Sequence, residues 1–581
     1  MSKPLRFLLP FVLAMLALPG SAWATHQDDP RSSNVVPLGE SLRPGGFPPA
    51  PALSDANSDL AFWRNYAIQG TYTGFRILDI SNPMAPAEVS RAQCGRSQGD
   101  ITVSEDGRIL VRSQDEARIL PGNDINQACA VGTVPPAGTP IGQQAVDVGW
   151  EGLQIFDISD KANPRFVKAL ATDCGSHTHT QYFDEANNRL IIYVSRGGGG
   201  HDIRTPYGTT CPPLIPRITA VEVPLANPAG ARVIGEIPAG TNGCHDVAVF
   251  EEINRMYGAC RPFTILWDIT NPAAPVILRT MTVPFAGPPA LTGWHSASFS
   301  WNGEILISGW EPGGGGQAEC EATDDPIKKS IFFWSASTGQ LLGMWTLPRP
   351  QTASENCTIH NYNVVPFPDR HILVHGGYQS GWNAVDFTNP GAAFEFAWSD
   401  PPSLGPGPFC SQTLPPGCQL GGAWSTYWYN DVAWESDIPS GFRGYTLTEP
   451  WWPAAFDLTR LNPQTQETLL RCRAQVVTTG HLRARRPTTV TIRATEVGGP
   501  ANGQPVALQR VVLRGPGIGV TTRTNMNGVA RVAGVAASRS GMLRASVPNT
   551  LNMAGCSASR HIAAAPRPPR GGGAALTGRK S

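Results

Sequence analysis

Four histidines could carry chemistry in this chain of 581 residues. His179, His245, His295 and His360 each open an apolar, strand-like run that ends in a hairpin turn, and aligning the runs by that turn puts the four at one equivalent position. Neutral imidazole is a ligand for zinc, copper, iron and nickel alike, so such a set describes a metal or ligand site without choosing the ion. A transition metal (zinc, copper or iron) is the cofactor it implies. Glu311 and His375 lie in stretches that reach the same end of the runs, as do His201 and the glycines at 197–200 and 313–316. With a metal in place, Glu311 or His375 would be the proton-handling group of an oxidoreductase or a lactonase-like hydrolase. Asp246 and Asn361 each follow one of the histidines and are placed to orient imidazoles. Trp294, Trp310 and Trp382, with Trp424, sit near the same end and are candidates to line a pocket for an apolar or sugar-like ligand. The competing role for each histidine is structural, with both ring nitrogens hydrogen-bonded to neighbouring backbone.

What would bring these residues together is a repeat. GFRILDISNPMAP from Gly74 returns as GLQIFDISDKANP from Gly152, FTILWDITNPAAP from Phe263 and WNAVDFTNP from Trp382. Apolar residues alternate up to an Asp, and Asp, Ser or Thr, Asn and Pro then close a corner, so each copy predicts a strand and a capped turn. The Asp at 79, 157, 268 and 386 is therefore expected to cap the corner rather than bind calcium. Each copy follows a hairpin, as in ITVSEDGRILVRS from Ile101, and precedes a further strand, as in RFVKAL from Arg165. Three strands and a fourth after the corner make one propeller blade, and the chain holds seven such units between 57 and 465. In the other three units Glu222, Ser335 and Thr446 replace the Asp. The expected fold class is all-β, a seven-bladed β-propeller. Ser58, Gly99 and Trp424 fill the histidine position in units one, two and seven, at the channel mouth.

The I-L-D-I-S-N-P and I-F-D-I-S runs resemble the LVIVD repeat family of exported bacterial propellers, over roughly Asn57 to Pro463. The resemblance implies the fold and is nearly silent on function.

From 469 to 565 the texture changes to alternating strands separated by Gly and Asn turns, which predicts a small β-sandwich. GQPVALQRVVLRGPG with TRTNMNGVA resembles bacterial immunoglobulin-like domains, modules that space, dock or bind surfaces. The tail, 566–581, is low in complexity and reads as disordered. Residues 25–56, polar and rich in Pro and Gly, read as a flexible lead-in or a strap.

Lys3 and Arg6, the apolar run Phe7–Leu18 and the end at Ala22–Ala24 read as a signal peptide cleaved after Ala24, which predicts a secreted or periplasmic protein. No later stretch is apolar for long enough to span a bilayer. Twelve cysteines in an exported chain predict disulfides. Pairing neighbours gives 94 with 129, 174 with 211, 244 with 260, 320 with 357, 410 with 418 and 472 with 556. Charged residues are only 15% and balance to zero, which argues against nucleic acid. No glycine run has the lysine of a phosphate loop, and no serine sits in a G-x-S-x-G elbow. Three readings follow. The first is a binding or scaffolding propeller with a His-lined site, whose partner is a small molecule or an envelope or extracellular protein. The others are a metal-dependent enzyme and a purely structural or adhesion protein.

Overall fold

The computed structural model describes residues 26–42, 56–93, 98–115, 152–172, 175–196, 216–240, 242–251, 253–283, 293–311, 315, 318–367, 370–404, 421–466, 472–478, 482–496, 505–506, 509–548 and 556–565. The signal peptide, the tail, His201, the glycines at 197–200 and the cysteine pairs 94–129, 174–211 and 410–418 lie outside these residues. No helix among them is long and apolar enough to cross a membrane.

The alternating runs form antiparallel sheets in which sequence order is spatial order. We number them by their first strand: sheet 1, Asn57–Trp63; sheet 2, Ile101–Val103; sheet 3, Thr178–Asp184; sheet 4, Cys244–Phe250; sheet 5, Trp294–Phe299; sheet 6, Tyr362–Val365; sheet 7, Ala423–Tyr429. First strands of successive sheets lie against one another, and that of sheet 7 lies against that of sheet 1. Asn57 Nδ2 donates to Asp437 O at 2.8 Å and Gln69 Nε2 to Ser436 Oγ at 2.8 Å, tying sheet 1 to sheet 7. A ring of stacked sheets buries both faces of each and leaves no long inner edge free, which is a propeller-type fold.

The repeated run makes the third strand of its sheet, and its Asp does what a corner cap does. Asp79, Asp157, Asp268 and Asp386 accept from the backbone N–H two residues on at 2.8, 2.9, 2.8 and 2.9 Å. The Ser159 and Thr270 hydroxyls, and then these backbone bonds, hold the Asp157 and Asp268 carboxyls below their ordinary range. In sheet 3 Glu222 replaces the Asp and is gripped by Arg189 and Arg232. Gly152, which opens one copy, has φ 144°, and a Cβ there would stand 2.1 Å from Leu170 O, so only glycine fits. Between sheets, Trp267, Trp294, Trp334, Trp382, Trp428 and Trp434 are fully buried.

Two segments that carry no repeat tie the ring. Val35–Leu42, inside the stretch read as a flexible lead-in or strap, is a strand on the outer edge of sheet 7, paired from Val35↔Leu447 to Leu42↔Gly441. It brings Asp29 and Glu40 to within 3.8 and 4.0 Å of the buried Arg443, which also faces Glu435 and Asp437. At the other end of the ring, 460–466 crosses from sheet to sheet. Arg460–Leu461 pairs with Phe62 and Trp63 of sheet 1, and Thr465–Gln466 pairs with Val249 and Phe250 of sheet 4. Between them Asn462 accepts from Val103 N and donates to Val103 O, each at 2.8 Å, in sheet 2. Gln466 Nε2 reaches Ser298 Oγ of sheet 5 at 2.7 Å. The segment is a cross-tie over the axis.

Beyond it, two sheets alternate buried and exposed side chains. One joins Cys472–Thr478, Thr488–Glu496 and Val529–Val535; the other orders Ile518–Arg523, Arg510–Gly515, Gly541–Val547 and Cys556–Ile562. Disulfides 244–260, 320–357 and 472–556 are formed.

Candidate functional site

The start of each first strand faces the axis, and backbone contacts between neighbouring sheets fix which residues are equivalent. Ser58 Oγ donates to Gly99 O at 3.1 Å, Thr178 Oγ1 to His245 O at 2.5 Å, Ser296 Oγ to His360 O, and His360 Nδ1 to Trp424 O. The carbonyl that accepts is each time that of an axial residue in the next sheet: Gly99, His245, His360 and Trp424. His177 and His295, which precede the donors Thr178 and Ser296, stand with His245, His360 and Trp424 in the wall of one chamber. Ser58 precedes Asp59 as His245 precedes Asp246, both aspartates lining that wall, so the axial set is Ser58, Gly99, His177, His245, His295, His360 and Trp424.

His177 therefore replaces His179 in the cluster. The run from His177 to the start of its second strand at Arg189 is two residues longer than the run from His245 to Arg255, so counting back from the turn lands on the wrong histidine. His179 is spent structurally: Nδ1 bonds Ser113 Oγ at 2.7 Å and Nε2 bonds Thr102 Oγ1 at 2.9 Å. Burial pushes it down to about 3, so it is neutral.

The other four imidazoles converge. Ring centroids of His177 and His245 are 4.7 Å apart, of His245 and His295 3.8 Å, and of His295 and His360 4.3 Å. Three have Nδ1 held from behind: His177 by Asp115 Oδ2 at 2.5 Å, His295 by Ser296 Oγ at 2.6 Å, and His360 by the Trp424 carbonyl. That leaves Nε2 pointing inward. The Nε2 atoms of His177 and His245 are 3.0 Å apart, and those of His295 and His360 face the Glu311 carboxylate at 3.4 and 4.0 Å. Burial lowers the basicity of His245, His295 and His360, the last to about 3, so these rings are neutral and keep a lone pair.

Glu311 arrives from the end of the second strand of sheet 5, Ile305–Trp310. The equivalent ends elsewhere supply Asp115 and Arg261, and the loop after Ile372–Gly376 supplies Tyr378, so a tier of polar groups sits over the imidazoles. Tyr378 donates to Glu311 Oε1 at 2.8 Å, and burial raises the Glu311 carboxyl to about 8. One ligand atom each from His245, His295 and Glu311 lie within 4.8 Å of one another. On the other side of the imidazoles the residues next in sequence form a ring of their own, including Asp59, Asp100 and Asp246, all buried and all raised by that burial. The chamber between has a volume of about 20 Å³, and Gln464 of the cross-tie is in its wall. It has room for a water or a single ion.

The remaining candidates are placed elsewhere. His375 lies within the second strand of sheet 6, with Nδ1 3.2 Å from Asn383 Nδ2 and its ring on Trp345, outside the chamber wall. Trp294 packs on Phe332 and Trp334, Trp310 is in the same core cluster, and Trp382 packs on Tyr445. These three fill the space between sheets instead of lining a pocket, because strand alternation turns them from the axis. Trp424 does line the chamber. Asp246 accepts from Val247 N at 2.7 Å, and Asn361 Oδ1 lies 3.4 Å from Ser296 Oγ; neither orients an imidazole. Asp115, Ser296 and the Trp424 carbonyl do so. Asp115 and Tyr378 went unnoticed in the sequence, although their place just past the second strand, shared with Glu311, would have found them.

The LVIVD repeat model matches residues 58–93 and 146–172, which hold the first two copies of the run, and the chain carries LVIVD repeats. The chain matches no curated protein. Among solved structures it is similar to a chain of a mitotic checkpoint complex (10% identity, TM-score 0.39, covering 74% of this chain and 99% of that one). It is also similar to a functionally unknown protein from Desulfotomaculum acetoxidans DSM 771 (9%, 0.36, 60% and 90%) and to Sqt1 from Chaetomium thermophilum (10%, 0.39, 68% and 97%). Likeness of this degree bears on no function.

Proposed function

We propose that the protein is an exported, seven-bladed propeller carrying an immunoglobulin-like module, and that it works by binding or scaffolding, with the His-lined chamber at the channel mouth as its own binding site. The observation that carries this reading is the convergence of four imidazoles, from four successive sheets, on one axis. A fold needs no such set: seven sheets close the ring, and Ser58, Gly99 and Trp424 fill the same position without a titratable group. Seven blades are supported by the seven sheets and by the strap that supplies the outer strand of the last one. The immunoglobulin-like reading is supported by strand order, first, second and fifth strands in one sheet and fourth, third, sixth and seventh in the other. Export is supported by the Lys3–Ala24 leader pattern and by the disulfides. A purely structural protein would leave the buried carboxyl of Glu311 and the crowded Nε2 atoms without a use.

The test is a thermal-shift screen on tag-free mature protein against divalent cations, small anions and small amines, run beside a His245→Ala, His295→Ala double variant. A compound that raises Tm in the native protein and not in the variant supports the site. A panel with no such compound refutes it.

A further inference from the structure

The chamber's ligand class follows from how its histidines are held, an inference that rests on the binding reading above. We propose that the axial cluster is a first-row transition-metal site, with His245, His295 and Glu311 as ligands and the Nε2 atoms of His177 and His360 as the groups that complete or exchange in the coordination sphere.

The argument is geometric. Metal-binding histidine almost always gives its second ring nitrogen to a carboxylate, a backbone carbonyl or a water, which fixes the tautomer and aims the other nitrogen at the metal. Two of the four rings have such a partner behind them already, the Asp115 carboxylate and the Trp424 carbonyl, and the Ser296 hydroxyl takes that place behind a third. Backbone satisfaction alone would not set the Nε2 atoms of four sheets into two adjoining contacts, His177 on His245 and His295 with His360 on Glu311. Two imidazole nitrogens 3.0 Å apart can share at most one proton between them. The Glu311 carboxyl faces two further Nε2 atoms at 3.4 and 4.0 Å. A metal ion would accept lone pairs from both groups at once.

Spacing and size agree. Two ligand atoms bound at about 2.0–2.2 Å lie at most about 4.4 Å apart. Three ligands on one ion sit closer, about 3.3–3.8 Å apart. His295 Nε2 and Glu311 Oε2 are already at 3.4 Å, and all the donors of His245, His295 and Glu311 lie within 4.8 Å of one another, so an inward shift of about 1 Å at most seats an ion. The chamber of about 20 Å³ beside the imidazoles, walled by the four histidines with Asp59, Asp100 and Asp246, admits a water or an ion and excludes an organic ligand, and Glu311 stands outside its wall on the imidazoles' other side. The two-histidine, one-carboxylate donor set suits first-row metals and is a poor match to calcium or magnesium, which take oxygen ligands. The disulfide between Cys320 and Cys357, with the bond of Asn356 Nδ2 to Gly315 O at 3.1 Å, ties Gly315 and Cys320 to the segment that leads to His360. The carboxylate ligand is thereby fixed to the sheet that supplies a neighbouring imidazole.

The test uses full-length mature protein without a polyhistidine tag. Elemental analysis of the protein as isolated is paired with cobalt(II) titration of chelator-treated protein, read by its d–d absorption. The expected result is about one equivalent of a first-row metal per chain and a saturable cobalt spectrum. Both should be lost in Glu311→Gln and in His295→Ala, while Asp115→Asn binds cobalt about 10- to 100-fold more weakly. His179→Ala, where it folds, should keep the spectrum; Thr102→Val, which frees one bond of the same ring, should keep it in any case. Failure of the native protein to take up cobalt, or an unchanged spectrum in Glu311→Gln, overturns the metal assignment. If an anion or amine then gives a thermal shift that needs His245 and His295, the binding reading stands without the metal. If nothing does, both fall.

Discussion

His179 and His295 look alike in the sequence and should behave in opposite ways when removed. In the metal-free protein, His179→Ala deletes a wholly buried ring whose two nitrogens bond Ser113 and Thr102 at 2.7 and 2.9 Å. Two neutral hydrogen bonds are worth about 1 kcal/mol each. The packing void of a buried ring adds about 1–2 kcal/mol, since the strands of sheets 2 and 3 close only partly around it. The loss should total about 3–4 kcal/mol. His295→Ala deletes a ring that borders a polar chamber, where water can take its place and bond Ser296 and Glu311, so the loss should stay under about 1.5 kcal/mol. Urea unfolding followed by tryptophan fluorescence measures the difference cleanly, because all sixteen tryptophans precede residue 453 and the two sheets that begin at Cys472 have none. Equal losses in the two variants, or a loss below about 1 kcal/mol for His179→Ala, would refute the division between a structural and a site histidine.

Arg443→Met should cost at least about 3 kcal/mol, because Glu435, Asp437 and Asp29 stay buried around an uncharged side chain; urea unfolding at neutral pH reads it. Asn462→Ala should cost about 2–4 kcal/mol by stranding the Val103 N–H and carbonyl, and a melting temperature equal to the native one would show that the cross-tie carries no load. Asp431 has its carboxyl raised to about 6 by burial and then by the charge of Asp457. A raised carboxyl contributes stability in full below its ordinary value near 4 and loses it as pH rises through about 6. Melting temperature should therefore fall between about pH 4 and pH 7 by less in Asp431→Asn than in the native protein.

The parts of this fold that could be read from sequence are those whose cause is local. GFRILDISNP and its copies announce a strand by alternation and a corner by Asp and Asn, and both devices act within ten residues, so register along each copy was legible. The pairing of Cys244 with Cys260 was legible for the same reason, since the two face each other across one hairpin. Register between sheets was not. It depends on how far each first strand runs before its turn, and two extra residues in sheet 3 were enough to exchange His177 for His179. The cross-tie was invisible for a different reason: RLNPQTQ is polar and aperiodic, and its partners lie in sheets 1, 2, 4 and 5, hundreds of residues away.

A propeller makes chemistry hard to see in sequence because it builds its axis from one residue per sheet. Neighbours on the axis lie far apart in the chain: His245 and His295, 50 residues apart, have ring centroids 3.8 Å apart. One of the groups that orient them comes from a different tier, the ends of the second strands, which is why Asp115 serves His177 across 62 residues. Reading such a fold for function therefore means aligning its units twice, once on the start of the first strand and once on the end of the second. Done that way, the chain yields His177, His245, His295 and His360 on one ring and Asp115, Arg261 and Glu311 on the next. The imidazoles and the polar groups over them then stand in adjacent columns, and the binding reading proposed above rests on that adjacency more than on any single histidine.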